Sequence, residues 1–145
     1  MKIGISSCLL GYKVRYDGTH KRYDELINLL DKHDLIPVCP EIEAGFTIPR
    51  EPIEIKNDKV ITRNGKDVTD ALISGSDKCL NKIIDCDFVI LKSKSPSCGY
   101  KKIYDGNFSN NLIDGNGIFT DMCIRNNIKV FTESDIKLIR EYISQ

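Results

Sequence analysis

The chain has 145 residues, of which 41% are hydrophobic and 29% charged, so it is a folding sequence rather than a disordered one and is sized for one domain, residues 1–145. Lys plus Arg and Asp plus Glu both number 21, and a neutral chain this small exerts no global pull on nucleic acid or anionic lipid, although a local basic patch is compatible with it. Its apolar runs, Met1–Leu10 and Phe88–Leu91, are too short to cross a bilayer, and no signal peptide or lipoprotein site is read at the start, so a cytoplasmic location without membrane attachment is expected.

Lys2–Ser6 reads as a short buried strand, and Gly11–Arg22 as a loop rich in Gly, Tyr and charge. Tyr23–His33 has the apolar spacing of an amphipathic helix through Leu26, Ile27, Leu29 and Leu30. Asp34–Val38 is a second strand, stopped by Cys39-Pro40, and Glu41–Pro52 is turn-rich. Ile53–Ile55 and Val60–Thr62 form a hairpin about Asn57-Asp58. Asp67–Asp85 is a long helix, and Phe88–Leu91 has the continuous apolar character of a buried parallel strand. Lys92–Asn116 is mostly loop, with room for a small hairpin near Tyr104. Ile118–Asn126 is a helix and Lys129–Phe131 a last strand. Thr132-x-x-Asp135 is a capping box that opens a final helix with Ile136, Ile139 and Ile143 on one face. Strands alternating with helices make the fold α/β, a compact Rossmann-like three-layer domain with a mainly parallel sheet and right-handed crossovers.

Cytoplasmic cysteines serve metals, catalysis or core packing more often than disulfides. None of the six here has C-x-x-C spacing, so any shared site is built by the fold. Ligands of open α/β sheets bind beyond the carboxyl ends of the strands. Cys8, Cys39 and Cys98 each follow a strand, beside Gly11, Pro40, and Pro96 with Gly99, and so fall on that one edge. Cys79 and Cys123 lie inside helices and Cys86 on the opposite edge, and these are read as small buried hydrophobes. Placement alone leaves Cys8, Cys39 and Cys98 divided between core packing and a shared metal or cluster site. Three thiolates without a fourth ligand have the open position of a catalytic metal site.

The two histidines add little: His33 is read as a cap at a helix end, and His20 as a solvated loop residue within reach of the site. Glu41, two residues after Cys39, is placed to act as an acid or base there, with Glu43 as its competitor. Ser93, Ser95 and Ser97 alternate with Lys92, Lys94 and Pro96, a segment that can offer hydroxyls and backbone N–H groups to an anion. No histidine neighbours these serines, and there is no Walker loop or G-x-G-x-x-G, so a Ser-His-Asp hydrolase and a nucleotide-loop enzyme are unsupported.

Four ordered segments carry a resemblance: Ser6-Ser7-Cys8-Leu9-Leu10-Gly11, Arg15-Tyr16-Asp17-Gly18, Val38-Cys39-Pro40-Glu41, and Leu91 to Gly99 with its Ser95-Pro96-Ser97-Cys98. They resemble the thiouracil desulfidase family, and Gly115-Asn116-Gly117 extends the likeness over nearly the whole chain. The resemblance implies an oxygen-sensitive 4Fe–4S cluster on Cys8, Cys39 and Cys98, where clusters usually take four cysteines. It implies catalytic or substrate-positioning roles for Glu41, Ser95 and Ser97, and conversion of 2- or 4-thiouracil to uracil and sulfide without net redox chemistry. The implied partner is a small thiolated nucleobase, and the neutral charge argues against stable nucleic-acid binding. Ile42-Glu43-Ala44-Gly45-Phe46 departs from the glycine-richer, less charged stretch expected after Glu41. Two other functions use the same cysteines: a sulfur carrier that hands sulfide to a partner, and a non-enzymatic module holding zinc or structural thiols.

Overall fold

The computed structural model describes residues 1–145. A four-stranded parallel sheet, order β2-β1-β5-β8, is built from β1 (Lys2–Ser6), β2 (Asp34–Val38), β5 (Phe88–Leu91) and β8 (Val130–Thr132). Two antiparallel hairpins flank it: β3 (Ile53–Lys56) with β4 (Lys59–Thr62), and β6 (Lys102–Tyr104) with β7 (Leu112–Asp114).

Alternation along the strands divides the core between the two faces of the sheet. Ile3 and Ile5 of β1, Phe88 and Ile90 of β5 and Phe131 of β8 bury one face under α1 (Asp24–Leu29) and α5 (Ile136–Ile143), through Leu26 and Ile139. Phe88, Phe131 and Tyr142 stack edge-to-face there, with centroids 5.3–5.5 Å apart. Val38, Val89, Leu91 and Val130 bury the other face under α3 (Thr69–Ile83) and α4 (Ile118–Arg125), with Cys79, Ile83, Phe119 and Cys123. The result is the three-layer α/β arrangement expected from the sequence. Helices change face where the winding changes direction, as right-handed crossovers require.

Three local expectations need correction. The first helix stops at Leu29 and the chain turns through Leu30–His33; only Leu26 and Leu30 reach full burial, and Asp34 must already pair with Met1 at the sheet edge. His33 does not cap that helix: its Nδ1 meets the N-terminal amine of Met1 at 3.0 Å. The stretch after Cys39 is not all turn, because Pro40–Glu43 forms a short helix, α2, with proline at its first position. The β3–β4 turn has positive φ at both Asn57 and Asp58, the two-residue geometry that suits a twisted hairpin. The capping box is present at Thr132 and Asp135, on a single 3-10 turn, Glu133–Asp135, that runs into α5.

Candidate functional site

Winding from β1 runs first to β2 and later to β5 on its other side, so the switch point lies between the carboxyl ends of β1 and β5. There the Lys92 N–H donates to Ser6 Oγ at 2.9 Å, closing the two strand ends together. A cavity of about 410 Å³ opens above this point. Cys8, Cys39, Glu41, Ser95, Ser97 and Cys98 all line it.

Each cysteine is fixed by a different local device. Cys8 lies on a 3-10 turn, Ser7–Leu10, that ends at Gly11 with a left-handed φ of 97°. Cys39 precedes α2, and α2 is seated on α3 at Gly75: a Cβ there would stand 2.3 Å from the Pro40 carbonyl oxygen. Cys98 sits on a loop held by the first turn of α4, where the Phe119 N–H donates to the Ser97 carbonyl at 2.9 Å and Ile118 N–H to that of Pro96 at 2.9 Å. Gly117 permits this approach, since a Cβ would meet the Ser97 carbonyl carbon at 2.4 Å.

Burial is the largest influence on all three thiols and keeps them protonated in the absence of a metal. It pushes Cys8 up to about 11, against the nearby charges of Lys92 and Arg15. Cys39 is raised by burial despite N–H groups of Ile42 and Glu41 at its sulfur, and Cys98 is raised well above the ordinary value despite hydrogen bonds with Ser6 and Ser97. Cys8 and Cys98 each feel the charge of Cys39, so the three form one electrostatic group. Binding a metal centre would therefore displace protons from them. No three Cys, His, Asp or Glu side chains converge as ligands of one ion.

Glu41 and the two serines form a directed chain. Ser95 Oγ accepts the N–H groups of Ser97 at 3.1 Å and Cys98 at 3.0 Å, which occupies its two lone pairs. Its own O–H is then left to donate to Ser97 Oγ, 2.9 Å away, and Ser97 donates on to Glu41 Oε2 at 3.2 Å. Glu41 Oε1 takes the Arg50 guanidinium at 3.1 Å. Glu43, its competitor in the sequence, turns instead to Lys82 of α3. The extra charge in Ile42–Phe46 thus serves a helix contact rather than the cavity wall.

The serine segment spends the backbone N–H groups of Ser93, Ser97 and Cys98 inside the protein, and the anion that Ser93 meets is the carboxylate of Glu133. The Ser93 N–H already donates to Glu133 at 2.8 Å, and those of Ser97 and Cys98 to Ser95. Hydrogen bonds hold Glu133 below the ordinary carboxylate range against the opposing effect of burial, helped by the charge of Lys92 3.1 Å away. His20 is exposed and accepts the Arg22 N–H at 3.0 Å; it is not among the cavity residues. Six cations line the cavity (Arg15, Lys21, Arg50, Arg63, Lys92 and Lys94) against the carboxylates of Glu41 and Glu54, which is the local basic patch a neutral composition permits.

Arg50 and Glu133 are not singled out by the sequence. Glu133 follows β8 on the same sheet edge, a position that the strand-end rule would flag. Arg50 lies in an irregular stretch and carries no pattern.

A family model described as 2-thiouracil desulfurase matches residues 3–135. The chain belongs to this family. It is 36% identical to an uncharacterised protein of Bacillus subtilis (strain 168), YbbK, over 91% of this chain and 95% of that one. Among solved structures it is similar to the [4Fe-4S]-dependent thiouracil desulfidase TudS, with a TM-score of 0.89, 34% identity, and coverage of 99% of this chain and 97% of that one. The α/β fold with its parallel sheet is therefore shared with a desulfidase over essentially its full length. No helix is long and apolar enough to cross a membrane.

Proposed function

We propose that this chain is a desulfidase that hydrolyses the carbon–sulfur bond of a thiolated pyrimidine such as 2- or 4-thiouracil, using a 4Fe–4S cluster held by Cys8, Cys39 and Cys98. The observation that carries this reading is the meeting, on one cavity at the switch point, of three thiols from three strand ends with a hydroxyl chain ending on Glu41. The donor set fits the cluster. It is all sulfur, it supplies one ligand fewer than such clusters usually take, and nearby cations offset the charge of three thiolates. When bound, the cluster supplies a soft Lewis acid with one iron free of protein ligands.

The chain's own residues would handle the water and the protons. Glu41 takes a proton from water as its oxygen attacks the carbon that bears sulfur. Ser97 keeps Glu41 turned toward the cavity, and Ser95 fixes Ser97 in turn. The carbon–oxygen bond forms, the proton remaining on that oxygen passes to sulfur, the carbon–sulfur bond breaks, sulfur leaves as hydrosulfide with the bonding pair, and the proton held by Glu41 completes hydrogen sulfide. Water and thiocarbonyl become carbonyl and hydrogen sulfide, with no external oxidant or reductant.

The deciding experiment measures iron and acid-labile sulfide per chain after oxygen-free reconstitution, then uracil and sulfide released from free 2-thiouracil. The expected result is about four iron and four sulfide per chain, with turnover that needs no partner protein. A loaded cluster without turnover on free thiouracil would favour a sulfur carrier. Bound zinc with no iron would overturn the reading.

A further inference from the structure

We infer that Arg50 is a positioning residue that straps the Gly11–Arg22 loop to Glu41, so that one part of the cavity lining and the proposed catalytic base are set by one residue. The inference rests on the proposed role of Glu41 as the base.

Arg50 is an arginine with an 8% exposed side chain, and every nitrogen of its guanidinium is engaged. Nε donates to Glu41 Oε1 at 3.1 Å, Nη1 to the Thr47 carbonyl at 3.1 Å, and Nη2 to the Val14 carbonyl at 2.8 Å. Nη2 also lies 3.1 Å from Glu41 Oε1. The backbone joins in, because the Arg50 N–H donates to the Tyr16 carbonyl at 2.8 Å. One residue thus bridges α2, its own irregular segment and the loop that brings Val14, Arg15 and Tyr16 to the cavity.

This gives the Arg15-Tyr16-Asp17-Gly18 turn a structural purpose. The Gly18 N–H returns to the Arg15 carbonyl at 2.8 Å, and Asp17 accepts Thr19 through both its N–H and its hydroxyl. The closed turn presents the Val14 and Tyr16 carbonyls to Arg50 rather than to solvent. Meanwhile Arg50 and Ser97 grip opposite oxygens of Glu41, which fixes the plane of its carboxylate. A planar fork can serve three acceptors at once; a lysine ammonium in its place would keep the charge and lose the geometry.

The test uses full-length chain loaded without oxygen, assayed on 2-thiouracil, with Arg50→Met and Arg50→Lys made in the wild type and in Glu41→Gln. Arg50→Met is expected to lower kcat by about 10- to 100-fold with KM within about threefold and iron per chain unchanged. Arg50→Lys should recover part of that loss. In Glu41→Gln, followed by single turnover, Arg50→Met should add less than about twofold, because a residue acting through Glu41 has nothing left to position. A raised KM at constant kcat would make Arg50 a substrate contact, and equal losses in both backgrounds would make it a general fold contact; either overturns the inference. Full turnover in Glu41→Gln alone would instead remove the base from the proposed function.

A second readout does not depend on the cluster. Trypsin should cut the cluster-free Arg50→Met and Arg50→Lys chains after Lys13 and Arg15 at least about fivefold faster than the wild type, as local opening of the loop becomes easier. Equal cutting rates in Arg50→Lys would overturn the strap even if Arg50→Met failed to fold.

Discussion

The six cysteines divide into two groups that burial does not distinguish. Cys8 and Cys98 are 8% and 4% exposed, and Cys79 and Cys123 are both at 0%. Burial raises the pKa of all four. What differs is company. Cys98 packs in the same apolar cluster as Cys79 and Cys123, beside Ile83, Phe119 and Val89, but it, Cys8 and Cys39 also line a cavity with Lys92, Arg50, Ser97 and Glu41, which Cys79 and Cys123 do not. A buried thiol is inert or functional according to the polar groups that can meet its deprotonated form.

The largest expected effects come from exchanging the two groups. Cys8→Ala, Cys39→Ala or Cys98→Ala should each lose most of the iron and all measurable desulfidation after reconstitution. Cys123→Ala should keep both and lose about 1 kcal/mol of stability in denaturant melts, the scale of one buried methylene. Full iron in Cys98→Ala, or none in Cys123→Ala, would break the division.

Within the cavity group, Glu41→Gln should lower turnover by about 10²- to 10⁴-fold with iron unchanged. Ser97→Ala, which removes one hydrogen bond to that carboxylate, should cost about 10- to 100-fold. Unchanged kcat in Ser97→Ala would separate the hydroxyl chain from the chemistry.

The two groups meet at α3, where the Cys79 thiol lies against the backbone of Cys39 one turn beyond Gly75. Gly75→Ala should force α2 off that helix at a cost of about 1–3 kcal/mol and reduce the iron retained. A loss of stability with full iron retention would show that Cys39 follows its sheet strand rather than α2.

The smallest effect is a pH dependence of the core group. Burial pushes Cys79 and Cys123 up to about 12, against about 8.5 for an unfolded thiol. The folded chain therefore keeps protons that the unfolded chain releases. This stability is whole below about pH 8.5 and is lost progressively as pH rises toward about 12. By pH 9.5 each thiol should cost about 1 kcal/mol in urea melts of the cluster-free chain. Cys123→Ala should flatten that fall, and an unchanged slope would count against it.

Much of this was legible in the sequence, for reasons that are particular. Asp34–Val38 and Phe88–Leu91 emerge with their observed boundaries because turn signals bound both apolar runs. The strand-end rule collected Cys8, Cys39 and Cys98 without any local motif. The end of α1 was hidden because its apolar spacing continues past the point where the edge strand must begin. Glu133 was hidden behind a capping box that already accounted for its neighbours. Arg50 was hidden because two of the three acceptors of its guanidinium, the Val14 and Thr47 carbonyls, are backbone atoms, which leave no trace in side-chain chemistry, and its spacing from Glu41 follows no pattern.

The order of the strands also has a consequence in time. The three thiols stand at positions 8, 39 and 98, and Cys98 finds its place only once β5 lies beside β1 and α4 has gripped the Pro96 and Ser97 carbonyls. Because α4 begins at Ile118, a chain emerging from the ribosome cannot offer the finished triad until most of its length has been made. The proposed cluster ligands therefore come together only in a nearly complete chain.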